Sequence, residues 1–257
     1  MEEGKGQGGR GTFARTVMEL LDRTEYRRCV TAEDKEAVGR LRLKAYRADS
    51  MVSRLIHSVH DPLDDAPNAH VFAVLVGGVP VGTLRINVIT RECTDSFSME
   101  ECPGPVSEFL EFGPAIEPAR FAADPDHLGV FPHLPYVTLR LAGLAAMHFN
   151  AASVVILARE DHAPFYRRVY GAKLVAGPFQ YKEMKAKGVL MRVPVAESWD
   201  GIIRRHPFFD GTNTEGRLLF GPFASPGHVP LSVTPTARLA EAKGGMTATK
   251  RLAAAAS

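Results

Sequence analysis

Two adjacent glycines, Gly77 and Gly78, separate the run VFAVLV (71–76) from VGTLRINVI (81–89). Both runs are rich in β-branched residues, and a short glycine connection accepts the positive φ angles of a tight turn. The pattern predicts an antiparallel hairpin. Upstream, Thr31 followed by Glu33 and Asp34 has the form of a helix cap, and Val38, Leu41 and Ala45 continue at helical spacing, which predicts a helix over about 32–48. Downstream, Pro135 opens a second helical stripe through Val137, Leu141, Leu144 and Ala145, and SVVILA (153–158) reads as a short central strand. DHAPFYRRVYG predicts a helix stopped by Gly171, with strands in AKLV and VLMRVPV. This order is not a simple βαβ repeat.

With 257 residues the chain can bury a substantial core. A formal charge of +2 is too small at this size to argue for nucleic acid. Cys29, Cys93 and Cys102 show neither CxxC spacing nor an even count, which points to a reducing compartment. The start lacks an apolar signal region, and no apolar run reaches the ~18 residues of a membrane span. A cytoplasmic protein without a transmembrane segment is expected. Glycine at 4–11 and the Ser, Pro, Thr and Ala content after about Ala224 predict flexible ends. The expected organisation is a flexible segment with a possible helix over 1–24, a folded domain over 25–195, an extension packing on it over 196–223, and a disordered tail over 224–257.

AIEPARFAADP (115–125) reads as a strand that carries a carboxylate and a guanidinium three residues apart with a proline between them. Proline cannot donate to a ladder, and buried charge is costly unless paired. A regular strand puts residues 117 and 120 on opposite faces, whereas a bulge can bring them round. An edge strand with solvated charges is the plainer reading of the same residues.

Arg42 with Tyr46, Asp61-Pro62-Leu63-Asp64, Gly82-Thr83-Leu84-Arg85 and Glu117-x-x-Arg120-Phe121 resemble, in order and spacing, the signature of the acyl-homoserine-lactone synthases. HAPFYRRVYGAKLVAGP is more similar to the related N-acyl amino acid synthases. The resemblance covers roughly residues 25–195. It implies an α+β, α/β/α sandwich of the GNAT acyltransferase type, with a mixed central sheet splayed between its fourth and fifth strands. It also implies transfer of a long acyl chain from acyl carrier protein to the amine of an amino acid, by direct attack on the thioester and with no tightly bound cofactor. Glu117 and Arg120 are then the expected catalytic residues. Arg42, Tyr46, Asp61, Asp64, Arg85 and Phe121 are expected at the acceptor site, Arg120 either pairing with an acidic residue or holding the acceptor's carboxylate.

Two departures shape the reading. The lactone synthases carry a tryptophan shortly after the aromatic of the first helix, whereas the single tryptophan here is Trp199. Coenzyme A-dependent members of the fold follow the fourth strand with a glycine-rich pyrophosphate loop at a helix start. Here DPDHLGVFPHLP has one glycine and three prolines, which favours the carrier-protein donor. Arg167 and Arg168, with Lys182, Lys185 and Lys187, form a candidate surface for that acidic partner, although a solvated charged face fits them equally. His57, His60 and Asp61 form an HxxHD run that reads as an exposed helix end rather than a metal site. The alternatives are a lactone synthase, an acyl-CoA-dependent N-acetyltransferase and a non-catalytic module that binds acyl carrier protein.

Overall fold

The computed structural model describes residues 6–49, 61–180, 186–222 and 231–243. Within them the chain runs α1 (Gly6–Leu21), β1 (Thr24–Arg28), α2 (Ala32–Ala48), β2 (Ala69–Val76), β3 (Val79–Ile89), α3 (Phe97–Glu101) and α4 (Pro103–Phe109). It continues with β4 (Ala115–Ala123), α5 (Pro125–Leu128), α6 (Leu134–His148), β5 (Ser153–Arg159), α7 (Ala163–Tyr170), β6 (Lys173–Gln180) and β7 (Lys187–Pro194). The last elements are α8 (Val195–Arg205), α9 (Asn213–Phe220), β8 (Ser232–Val233) and α10 (Ala237–Ala242).

All eight strands join one sheet in the order β6-β7-β5-β4-β3-β2-β1-β8. Its pairs are antiparallel apart from β4 with β5, which is parallel. Helices cover both faces. Val71, Ala73 and Leu75 of β2 pack with Val38 of α2 on one side, while Phe72, Val74 and Val76 join the main core with α1 and α6 on the other. Burial of both faces explains why VFAVLV is a continuous apolar run and not an alternating one.

Local signals act as the sequence predicts. Thr31 and Asp34 close a reciprocal capping box at the start of α2, and Gly171 ends α7 in the left-handed conformation at φ 66°. The elements α3 and α4 are not foreseen from sequence. They are too short, at five and seven residues, to carry a periodic apolar signal.

Both chain ends contribute to the fold. Over 1–24, where a flexible segment with a possible helix is expected, the chain is helical from Gly6 to Leu21, because Val17, Met18, Leu20 and Leu21 reach the core and Phe13 meets the rings of Tyr136 and Phe208. Within the tail expected to be disordered from 224 onward, the described residues 231–243 pack on the fold. Val233 pairs with Tyr26 of β1, and Thr236 donates from both its backbone N–H and its hydroxyl to Glu215. The sheet therefore draws one strand, β8, from outside the 25–195 boundary.

Glu215 also anchors the extension to α6. Its carboxylate forms a two-nitrogen pair with the guanidinium of Arg140, and both side chains are fully buried. Arg140 Nε further donates to the Phe208 carbonyl at 2.8 Å. Removing one member of such a pair leaves the other charge buried without compensation. Glu215→Ala is expected to lose about 3–5 kcal/mol of stability, read as a lower urea midpoint, whereas surface Glu197→Ala is expected to change it little.

Candidate active site

The pairing between β4 and β5 is confined to Ala115 with Ser153 and Ile116 with Val154. Beyond Ile116 the strands separate, and Pro118 has no N–H with which to continue a ladder. A cavity of about 840 Å³ occupies the gap, with Tyr46, Arg85, Phe97, Glu117, Arg120 and Leu157 among its walls.

Glu117 sits on the first residue past the paired stretch and is almost fully buried, at 1% exposure. Its carboxylate accepts hydrogen bonds from the backbone N–H groups of Ser98, at 2.7 Å, and Phe97, at 3.1 Å. Those two groups are orphan donors of the first turn of α3, which Ser96 caps through Met99. Burial raises the Glu117 carboxyl above its ordinary range, against the pull of Arg85 and of the α3 donors. The result is an acidic group shielded from bulk water yet bordering the cavity.

Three arginines and two aspartates converge beside it. Arg85 is fully buried; one of its nitrogens lies 2.9 Å from Asp61 and 3.3 Å from Asp64, and its Nε donates to Asn87 at 2.8 Å. Arg42 reaches Asp64 from α2 at 2.5 Å. Asp61 opens a 3-10 turn at Pro62–Asp64 and accepts from Leu63 N–H, so it serves both as turn cap and as ion-pair partner. Burial opposes ionisation of Asp61, but Arg120 and Arg85 outweigh it and hold the carboxyl below its ordinary range. The second guanidinium Nη of Arg85 is buried without a partner among the described residues.

Arg120 resolves the parity problem. On β3 the register advances from Thr83 to Arg85 while on β4 it advances from Ala119 to Ala122, so one extra residue is accommodated there. Arg120 takes that bulge at φ 54°, an uncommon conformation for a residue with a Cβ. Its Nε pairs with Asp61, its guanidinium lies 5.7 Å from the centre of the Phe97 ring, and its side chain stays 37% exposed. Charged residues on β4 are therefore not those of a solvated edge strand, since β4 lies in mid-sheet.

Tyr46 and Phe121 both line the cavity, the Tyr46 hydroxyl lying 3.5 Å from the Phe121 carbonyl. Arg42 stands behind the wall and holds Asp64. Arg167 and Arg168 are exposed on α7, apart from this network, and Lys187 is exposed on β7. Lys182, Lys185, His57 and His60 lie outside the described residues. Among the described residues no cluster of side chains suits a metal ion, and no helix is long and apolar enough to cross a membrane.

Asn87, Phe97 and Ser98 escape sequence reasoning. Asn87 carries a weak signal, a second polar residue two positions from Arg85 on an apolar strand, hence on the same face. Nothing local marks Phe97 or Ser98, whose relevance depends on α3 being brought against β4.

A sequence family described as N-acyl amino acid synthase FeeM matches residues 37–194. Among solved structures, FeeM, an N-acyl amino acid synthase from uncultured soil microbes, is similar at 18% identity with a TM-score of 0.56, over 68% of this chain and 92% of that one. BjaI, a CoA-dependent acyl-homoserine lactone synthase, aligns at 16% identity and a TM-score of 0.47, over 68% of this chain and 82% of that one. An acyl-CoA N-acyltransferase from Pseudomonas aeruginosa aligns at 15% identity and 0.46, over 66% and 97%. A search of curated protein sequences finds no match of significance. At 18% identity the likeness to the FeeM structure is one of fold, the GNAT-like acyltransferase fold with its mixed sheet.

A carboxyl whose pKa is raised on folding stabilises the folded state less as pH climbs, because the folded protein holds the proton longer than the unfolded chain does. Glu117→Gln removes that dependence. The stability of the wild type relative to Glu117→Gln is expected to be highest below about pH 4.5 and to fall as pH rises through the raised value. Urea unfolding of both proteins across that range measures it; parallel profiles are the contrary result.

Proposed function

The chain belongs to the N-acyl amino acid synthase FeeM family and is an acyltransferase, and from that premise we propose that it moves a long fatty acyl group from acyl carrier protein to the α-amine of an amino acid. The observation that carries this reading is the position of Glu117: a buried carboxyl of raised pKa on the wall of the splayed gap, with Arg85 and Arg120 on the same cavity.

Aminolysis of a thioester needs an amine that loses its proton, stabilisation of the oxyanion and alignment of the two reactants. Glu117 takes the proton from the acceptor's ammonium group, directly or through one water. Its raised pKa brings it nearer to an amine's working range than an exposed carboxylate would be. Arg120, held by Asp61 on the bulge but still partly exposed, and the unpartnered nitrogen of Arg85 offer fork-shaped donors to the acceptor's carboxylate. Asp61, Asp64 and Arg42 orient those two guanidinium groups. The β4 edge that faces β5 beyond Ile116 lies free of ladder pairing, where a carbonyl oxygen can find backbone donors.

The donor reading rests on the segment that leads into α6. Its cap, His133, makes no side-chain cap bond, and Pro135 removes a backbone donor from the first turn. Asp124 and Asp126 stand nearby, shared by the Lys44 ammonium. Carboxylates and a proline make a poor cradle for a pyrophosphate. Contacts from a carrier protein, with phosphopantetheine threading the gap, replace that anchor.

Purified protein is expected to use long-chain acyl carrier protein far better than the matching acyl-CoA, equal use in steady state being the contrary result. Glu117→Gln is expected to lower kcat by ~10²–10⁴ with the fold retained; a variant of normal turnover and pH profile would make the carboxylate purely structural. Free amino acids are expected to react well and their amides poorly. Amides that react as fast as acids would remove the arginines from acceptor recognition.

A further inference from the structure

Pro118 and Tyr166 line the large cavity and also a second, almost entirely apolar cavity of about 40 Å³ between β5, β7, α6, α7 and α8. One of its walls is Trp199, the only tryptophan of the chain and a residue beyond the matched family region of 37–194. Trp199 is 5% exposed, and its indole N–H has no partner among the described residues, so packing alone holds the ring. The packing is tight on one side. A Cβ added to Gly143 of α6 would stand 2.8 Å from the edge of the six-membered ring. Gly143 and Trp199 both border the empty space.

We propose that Trp199 is the residue that limits the length of the acyl chain this enzyme accepts. The inference rests on the acyl-transfer reading above. A chain that enters from the reacting centre past Pro118 and Tyr166 meets an almost entirely apolar surface, Tyr170 and Trp199 contributing rings to it, and burying anything polar there without a hydrogen bond would be unfavourable. The room holds about three water-sized spheres, so the terminal carbons of a long chain reach the indole and stop. Gly143 sets where the indole rests, because a Cβ there would stand 2.8 Å from the ring edge and force one of them to shift, and on a residue that lines the cavity the added side chain takes up room.

The test is a titration calorimetry series of straight-chain fatty acids of increasing length on the full-length protein. Within the pocket each added methylene is expected to tighten binding about fourfold, up to a length at which the gain ceases. Trp199→Ala and the milder Trp199→Phe move that limit to longer chains, so a chain two methylenes past the wild-type limit gains about sixteenfold. Gly143→Ala moves it to shorter ones. In the wild type, Trp199 emission changes with chains near the limit and not with shorter ones. If Trp199→Ala fails to fold, Trp199→Phe and Gly143→Ala carry the comparison. An unchanged limit in the folded variants, or no chain binding at all, overturns the proposal. A shifted limit together with no transfer from any acyl thioester overturns the reading of the reaction and leaves Trp199 as the wall. Transfer with an unshifted limit does the reverse.

Discussion

The early end of the ladder between β4 and β5 is the constraint on which the site depends. Two paired residues on each strand hold the centre of the sheet together, and beyond Ile116 the strands diverge. Divergence exposes backbone that a sheet would otherwise satisfy, and a fold keeps such a gap only if other elements cover it. Here α2, α3, α5 and α7 supply residues around the opening, and the cavity is the space that remains. A continuous ladder would leave no path for a substrate through the middle of the sheet.

Glu117 illustrates how a costly group is accommodated at such a gap. A carboxylate at 1% exposure is unfavourable on its own, and two backbone donors of α3 offset part of the cost. The same bonds tie α3 to β4, so one residue serves the geometry of the wall and the chemistry of the cavity. Burial still outweighs the donors, which keeps the carboxyl easier to protonate than an exposed one. The ion-pair network beside it follows a similar logic. Asp61 and Asp64, separated by one turn of 3-10 helix, divide three guanidinium groups between them, and the conformation of Arg120 is sustained by its pairing.

The C-terminal extension is as much a part of the enzyme as the matched region. Glu215 and Arg140 lock it against α6 from within. Trp199 and Phe209 close the apolar cavity behind Pro118, and β8 adds a strand to the sheet edge at β1. Residues from opposite ends of the chain thus meet, Asp22 pairing with Arg238.

What the sequence by itself determined are the features encoded within a few residues of one another. Gly77-Gly78 turns the hairpin, Thr31 and Asp34 start α2, Gly171 ends α7, and Pro118 marks the strand that cannot stay paired. The resemblance to the acyl-homoserine-lactone synthases, carried by the order and spacing of the charged motifs, grouped Glu117, Arg120, Arg85, Asp61, Asp64 and Arg42. Only the tertiary structure decided which of them meet. Arg120 pairs with Asp61 across 59 positions, and its bulge depends on a register between β3 and β4 that no local pattern reports. Phe97, Ser98 and Trp199 acquire meaning through the packing of α3 and α8 against the sheet. The burial of the chain ends was hidden for the same reason: glycine and small polar residues lower local propensity, whereas Val17, Leu21 and Val233 gain their burial from distant partners. Caps and turns are short-range interactions and can be read in sequence order, while ion pairs, bulges and buried walls depend on where the folded chain brings remote residues together.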